Sequence, residues 1–330
     1  MGSTVTTLKV PPSFNETKEH WSDYSQGGQV CSTDKKFVQT IRMAKKGAGA
    51  LKPKTVGEIF AEAAKKCGNM PAYRIETPCP DFVCFQYSPL TVSLMTLTEC
   101  PKRTHIHSLT YTQGVEPRIL ETDKWSSVSY GQYYADCRKV ARAFRDLGME
   151  DLDAVNIYGF NSPQWFMGLF GAILGGGVAA GIYPTDTAEQ VFFKARHSGG
   201  AVAVVEGKKQ AEVFIKYADK LPKLKAIVQW SGDVKSNSID TSDGRSVKYC
   251  SFKDLLDNEP KTSDSDLDKI LGAQKPGSVC AYIYTSGTTG NPKAVMISHD
   301  NIVFEASTVF TIVNKYAGVG TYLELFLFFL

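Results

Sequence analysis

From Asp153 to Tyr284 the chain alternates short apolar runs with helical patterns, and that rhythm constrains the fold more than any other feature. Ala154 to Tyr158, Val178 to Tyr183, Ala201 to Val205, Ala226 to Gln229 and Ser278 to Tyr284 have strand length. Between them, Gln164 to Leu174, Thr187 to His197 and a stretch around Gln210 to Leu221 repeat at helical spacing. Apolar strands separated by crossover helices predict a buried parallel sheet. The expected fold class is therefore α/β, with parallel-sheet layers and flanking helices. With 330 residues, 43% hydrophobic and 22% charged, the chain can fill one large domain of this kind or two smaller ones.

Upstream, Thr55-Val56-Gly57-Glu58 is a capping box, followed by Ile59, Phe60, Ala63, Ala64 and Cys67 on one face and stopped by Gly68. A second amphipathic helix places Tyr134, Cys137, Val140, Ala141, Phe144 and Leu147 on one stripe and stops at Gly148. Ala72-Tyr73-Arg74 and Trp125 to Tyr130 read as a hairpin interrupted by an irregular insert at 77–122. Residues 1–53 read as a loosely ordered arm, with nine basic residues, counting Lys54 at its edge, against four acidic ones. Ser231 to Asp243 and Ser263 to Asp268 read as surface loops. The folded unit so delimited is 54–312, followed at 313–330 by an apolar tail that has lost the α/β pattern.

The net charge of +3 is spread along the chain, which gives no nucleic-acid footprint. Eight cysteines without a CxxC pair, and with no hydrophobic signal peptide before them, read as reduced thiols of a cytoplasmic protein. Cys79 and Cys84 with His105 and His107 fit no standard zinc spacing and read as unrelated side chains. No run approaches the roughly 20 apolar residues that span a bilayer. Met1-Gly2-Ser3-Thr4-Val5-Thr6 does fit the N-myristoylation pattern, and the basic arm supplies a second membrane signal. Peripheral contact with the endoplasmic reticulum or another membrane is thus one reading of the N-terminus. An ordinary N-terminus is the favoured one, since the pattern is short.

The segment richest in chemistry follows the last of the five strands: Tyr282-Ile283-Tyr284-Thr285-Ser286-Gly287-Thr288-Thr289-Gly290-Asn291-Pro292-Lys293. By composition it is a phosphate-binding loop. Gly287 and Gly290 let the backbone approach an anion, Thr285, Ser286, Thr288 and Thr289 add hydroxyl donors, and Lys293 adds a positive charge that Pro292 keeps near the loop. The order G-x-x-G-x-x-K is not a Walker A loop, and Gly175-Gly176-Gly177 is not a dinucleotide fingerprint.

Tyr284-Thr285-Ser286-Gly287-Thr288-Thr289-Gly290-x-Pro292-Lys293 resembles the signature loop of the AMP-forming acyl and aryl CoA synthetases, the adenylate-forming or ANL superfamily. Asn161-Ser162-Pro163-Gln164-Trp165, Gly181-Ile182-Tyr183-Pro184-Thr185, Leu224 to Trp230 and Val295 to Asn301 look like long-chain fatty acid CoA ligases of the bubblegum type. The resemblance covers about Pro53 to Glu76 and Asp123 to Phe304. It implies that 54–312 is part of an AMP-binding domain, the N-terminal part of the ANL large domain, with 313–330 as a tail outside the family.

The resemblance implies attack of a long-chain fatty acid carboxylate on the α-phosphate of ATP, loss of pyrophosphate, and displacement of AMP by the thiol of CoA. Thr285 would help hold Mg²⁺, Ser286, Gly287, Thr288, Thr289, Gly290 and Lys293 would bind the β- and γ-phosphates, and Lys293 would be the catalytic cation. Such donors suit a leaving group that gains charge in the transition state. Ala294 stands where the family usually has glycine. The family's adenine-binding Tyr-Gly-x-Thr-Glu-like segment, ribose-binding aspartate and mobile C-terminal domain have no counterpart, so an N-terminal portion is expected. The alternatives are a noncatalytic fragment that binds nucleotide weakly and a peripheral membrane protein without chemistry.

Overall fold

Thr55 caps the first helix, α1 (Val56–Lys66), reciprocally: its hydroxyl accepts the Glu58 N–H at 3.1 Å and the Glu58 carboxylate accepts the Thr55 N–H at 2.6 Å. Val56, Ile59, Phe60 and Ala63 are buried on one face, as their spacing predicts. The computed structural model describes residues 32–41, 43, 50–76, 85–86, 125–285 and 292–317. Strands β1 (Pro71–Glu76), β2 (Phe85–Gln86) and β3 (Trp125–Ser129) form a small antiparallel sheet in the order β2-β1-β3, with Tyr73 opposite Val128 and Glu76 opposite Trp125. The expected hairpin partners therefore do pair. Apart from Phe85–Gln86, the 77–122 insert lies outside the described residues, including Cys79, Cys84, His105 and His107.

The next elements are α2 (Tyr130–Asp146), β4 (Ala154–Tyr158), α3 (Pro163–Leu174), β5 (Val178–Ile182), α4 (Ala188–Ser198), β6 (Gly200–Val205), α5 (Lys208–Lys216) and β7 (Ala226–Gln229). They are followed by β8 (Asn237–Asp240), β9 (Ser246–Ser251), α6 (Phe252–Asp257), α7 (Asp264–Ala273), β10 (Val279–Thr285), β11 (Lys293–Ser298) and α8 (His299–Ala317). Eight strands join in the order β11-β10-β5-β4-β6-β7-β9-β8. The six inner ones run parallel, and β11 and β8 close the two edges antiparallel.

Side-chain alternation along these strands feeds two cores. β6 sends Val202 and Val204 into a core shared with α1, α2, α3, α6 and α7, and Ala203 and Val205 into a second core shared with α4 and α5. Both faces of the sheet are covered, which explains why its strands read as continuous apolar runs. The carboxyl ends of β5 and β10, adjacent in the sheet, emerge side by side.

Four expectations need correction. Ser263 to Asp268 is not a loop: Ser263 caps α7 by accepting the Asp266 N–H, and the acidic residues form its first turn, where the helix dipole favours them. Ser231 to Asp243 contains β8, an edge strand pairing Ile239 with Val247 whose residues are almost all exposed and so give no apolar signal. The 1–53 arm is not loose over 32–41, because the Gln39 N–H donates to the Gly277 carbonyl at 2.8 Å and the Lys35 ammonium to the Leu152 carbonyl at 2.8 Å. Leu152 adopts a left-handed φ of 61° there. Finally, α8 runs unbroken through Val313 to Ala317, because its helical pattern outlasts the strand rhythm. Residues 318–330, like 1–31, lie outside the described residues. No helix among the described residues is long and apolar enough to cross a membrane.

Candidate functional site

β10 and β11 form a hairpin whose register puts Thr285 directly opposite Lys293. Ser286, Gly287, Thr288, Thr289 and Gly290 fall between them and lie outside the described residues. Of the residues singled out from the sequence, the structure thus brings Thr285 and Lys293 together at the loop end of the hairpin. The Thr285 hydroxyl donates to the Lys293 carbonyl at 3.4 Å, and both side chains are exposed. Among the described residues no carboxylate pairs with the Lys293 ammonium, which leaves its charge available to an anion. Ala294 sits opposite Tyr284 within the ladder, so its Cβ belongs to a strand rather than to the turn.

The hairpin forms one wall of a cleft of about 880 Å³, bounded also by residues 32–39 and the C-terminal end of α4. Lys35, Arg196, Lys223 and Lys293 line it, with Asp34. Burial, and then the charge of Lys223, push the Lys35 pKa down.

Behind Thr285 the environment is buried. Tyr284 is 4% exposed, and burial pushes its pKa up to about 12. Its hydroxyl donates to the Lys194 carbonyl at 3.1 Å and lies 3.0 Å from His197 Nδ1. One phenolic hydrogen serves one acceptor, and a carbonyl can only accept, so the contact with His197 is an Nδ1–H donating to the phenol. The Lys194 ammonium pairs with Asp186 and lies 4.9 Å from the Tyr183 ring centroid and 5.6 Å from that of Tyr284. Asn156 on β4 joins the group by donating to the Ser198 hydroxyl at 2.9 Å. Lys194, Asp186 and His197 escaped the sequence reading, since a lysine or histidine on a helix reads as part of a solvated face. Only the tertiary pairing reveals them.

The Thr285 hydroxyl at the loop end of the hairpin is a neutral oxygen, and among the described residues no group of three or more His, Cys, Asp or Glu side chains could hold a metal ion. That donor set suits Mg²⁺ arriving with a polyphosphate, which brings most of its own oxygen ligands.

The description "AMP-binding enzyme" belongs to a family that matches residues 100–327, a match that reaches into the 313–330 tail expected to lie outside the family. Long-chain-fatty-acid–CoA ligase ACSBG2 of Xenopus laevis is 42% identical over 185 residues, covering 56% of this chain and 24% of that protein. The human protein of the same name is 31% identical over 289 residues, 86% of this chain and 35% of that protein. The chain spans about a quarter to a third of the length of these curated relatives. The solved apo structure of Mycobacterium smegmatis MbtA is similar in fold, with a TM-score of 0.50 at 15% identity over 78% of this chain and 36% of that one. With the family matching well over half of its length, and with a mostly parallel sheet ending in the Thr285–Lys293 hairpin, the chain belongs to the AMP-binding enzyme family.

Proposed function

We propose that this chain carries the ATP-handling part of an AMP-forming long-chain fatty acid CoA ligase. The observation that supports this most is the direct pairing of Thr285 with Lys293 on either side of the Ser286 to Gly290 sequence, in a chain of the AMP-binding family. In this reading a fatty acid carboxylate attacks the α-phosphorus of ATP, forming acyl-AMP as pyrophosphate leaves. The thiol of CoA then displaces AMP. Lys293 supplies an ammonium, and Thr285 with Ser286 to Gly290 supplies hydroxyl and amide donors, to the phosphates that depart with increasing charge. Mg²⁺ bound with the nucleotide would add further charge neutralisation, with Thr285 as one oxygen ligand.

Fatty acid, ATP and CoA are the proposed substrates, and the names of the ACSBG2 relatives support the acyl class. Peripheral membrane contact through the Met1 to Thr6 pattern and the basic residues after it is the second reading of that segment, behind the ordinary N-terminus. The test is a single-turnover reaction with ATP, Mg²⁺ and palmitate. Acyl-AMP and pyrophosphate forming above a Lys293→Ala control support the proposal. Nucleotide binding without acyl-AMP would identify a noncatalytic fragment instead.

A further inference from the structure

Lys194 carries its charge where charge is costly. Its side chain is 4% exposed, and that of its partner Asp186 is 11% exposed. Attraction between two such ions roughly offsets the cost of removing them from water, so a buried pair is a poor source of net stability and is better explained by what it holds in place.

This pair holds two strand ends. The Asp186 carboxylate accepts the Tyr183 N–H at 3.2 Å, and the Asp186 N–H returns to the Tyr183 carbonyl at 3.0 Å, closing the turn that leaves β5. The Lys194 ammonium then sits over the rings of both Tyr183 and Tyr284. Its own carbonyl takes the Tyr284 hydroxyl, and His197, one turn further along α4, donates to the same oxygen. Tyr284 is therefore gripped at its ring and its hydroxyl by one helix, and the next residue is Thr285, which faces Lys293 across the hairpin.

We propose that Lys194 and Asp186 are positioning residues: by locking Tyr284 between α4 and the end of β5, they set where Thr285 and Lys293 present their hydroxyl and ammonium to the phosphates of a nucleotide. This deepens the phosphate reading above and rests on it.

The experiment compares the full chain with Lys194→Met, Asp186→Asn and Tyr284→Phe. Tyr284→Phe is the mildest, since it deletes one oxygen and keeps the ring, and it serves if the charge variants do not fold. Three quantities are read: affinity for ATP with Mg²⁺ by calorimetry, melting midpoint, and amide hydrogen exchange in peptides containing Thr285 and Lys293. The expected result is a loss of ATP affinity of about tenfold in folded variants, as befits donors displaced rather than deleted. Faster exchange at the hairpin end should accompany it. A lowered melting midpoint with unchanged ATP affinity and unchanged exchange would overturn the proposal in favour of a purely structural pair. If the unsubstituted chain binds no ATP, the phosphate reading fails by itself and exchange decides the positioning role. Faster exchange in Tyr284→Phe then supports that role, and unchanged exchange overturns it.

Discussion

His299 Nδ1 accepts the backbone N–H of Val56 at 3.3 Å, joining the first turn of α8 to the first turn of α1 across 243 residues of sequence. An acceptor nitrogen carries no proton, so the contact requires the neutral ring. His299 is 3% exposed, and burial pushes its pKa down to about 4.

Stability should therefore fall in mild acid. In the unfolded chain the ring takes a proton near pH 6.5, while in the folded chain it resists until about pH 4. The stability linked to His299 is intact above about pH 6.5 and is lost progressively as pH drops towards 4, by about 3 kcal/mol at most. Urea titrations at pH 7.5, 6 and 5 would measure this. His299→Asn keeps an acceptor near the Nδ1 position and removes the titration, so its midpoints should change less over the same range.

Gly171→Ala should destabilise the packing of α3 on α2. A Cβ there would lie 2.5 Å from Val140 Cγ1 and 3.2 Å from Phe144 Cε2, and both side chains are fully buried. Overpacking of this kind costs about 1 to 3 kcal/mol. Adding Val140→Ala should recover part of the loss in denaturant melts. A purely additive double variant would mean that the clash is relieved elsewhere.

Asp146, the last residue of α2, accepts the N–H of Lys261 at 2.5 Å, the N–H of Thr262 at 3.0 Å and the Thr262 hydroxyl at 2.6 Å. Asp146→Ala removes three bonds that hold the connection between α6 and α7. A loss of about 1 to 2 kcal/mol is expected, given the exposure of the site. Amide exchange at Lys261 and Thr262 should accelerate, with the sheet unchanged.

Lys293→Ala should weaken ATP use while leaving fatty acid binding within about twofold. Loss of a charge-assisted bond to phosphate costs about 1.5 to 3 kcal/mol, tenfold or more in affinity. Its exposed side chain has no ion pair among the described residues, so the melting midpoint should stay unchanged. Equal acyl-AMP formation by both proteins would refute the phosphate role.

The parallel strands were legible because both of their faces are buried: Ala154 to Tyr158 and Ala226 to Gln229 coincide with β4 and β7. β8 was not, because an edge strand with Asn237, Ser238 and Asp240 exposed has no apolar alternation to read. α7 hid for a different reason. Its acidic first turn looks like solvent-facing loop, and among its residues only Leu267 is buried, although Ser263 ahead of Asp264 and Asp266 was a cap signal in plain view. At the site, the hydroxyls, glycines and lysine of 285–293 announce phosphate chemistry by composition alone. The grip of Lys194 on Tyr284 joins residues 90 apart and depends on α4 lying over the end of β10, which no local pattern encodes.

Strand order and chain order part company at β10, which enters the sheet beside β5, formed about a hundred residues earlier. A chain emerging from the ribosome can assemble β4 to β9 with their helices while β5 remains an open edge. The Val56 N–H at the start of α1, a turn already capped by Thr55, likewise meets its His299 acceptor only after 243 further residues. Among the described strands, the Thr285–Lys293 hairpin is therefore the latest pair to be translated, and it joins strands that can already carry helices on both faces. Translation thus delivers the strands that seat the hairpin before the two residues, Thr285 and Lys293, that face each other across it.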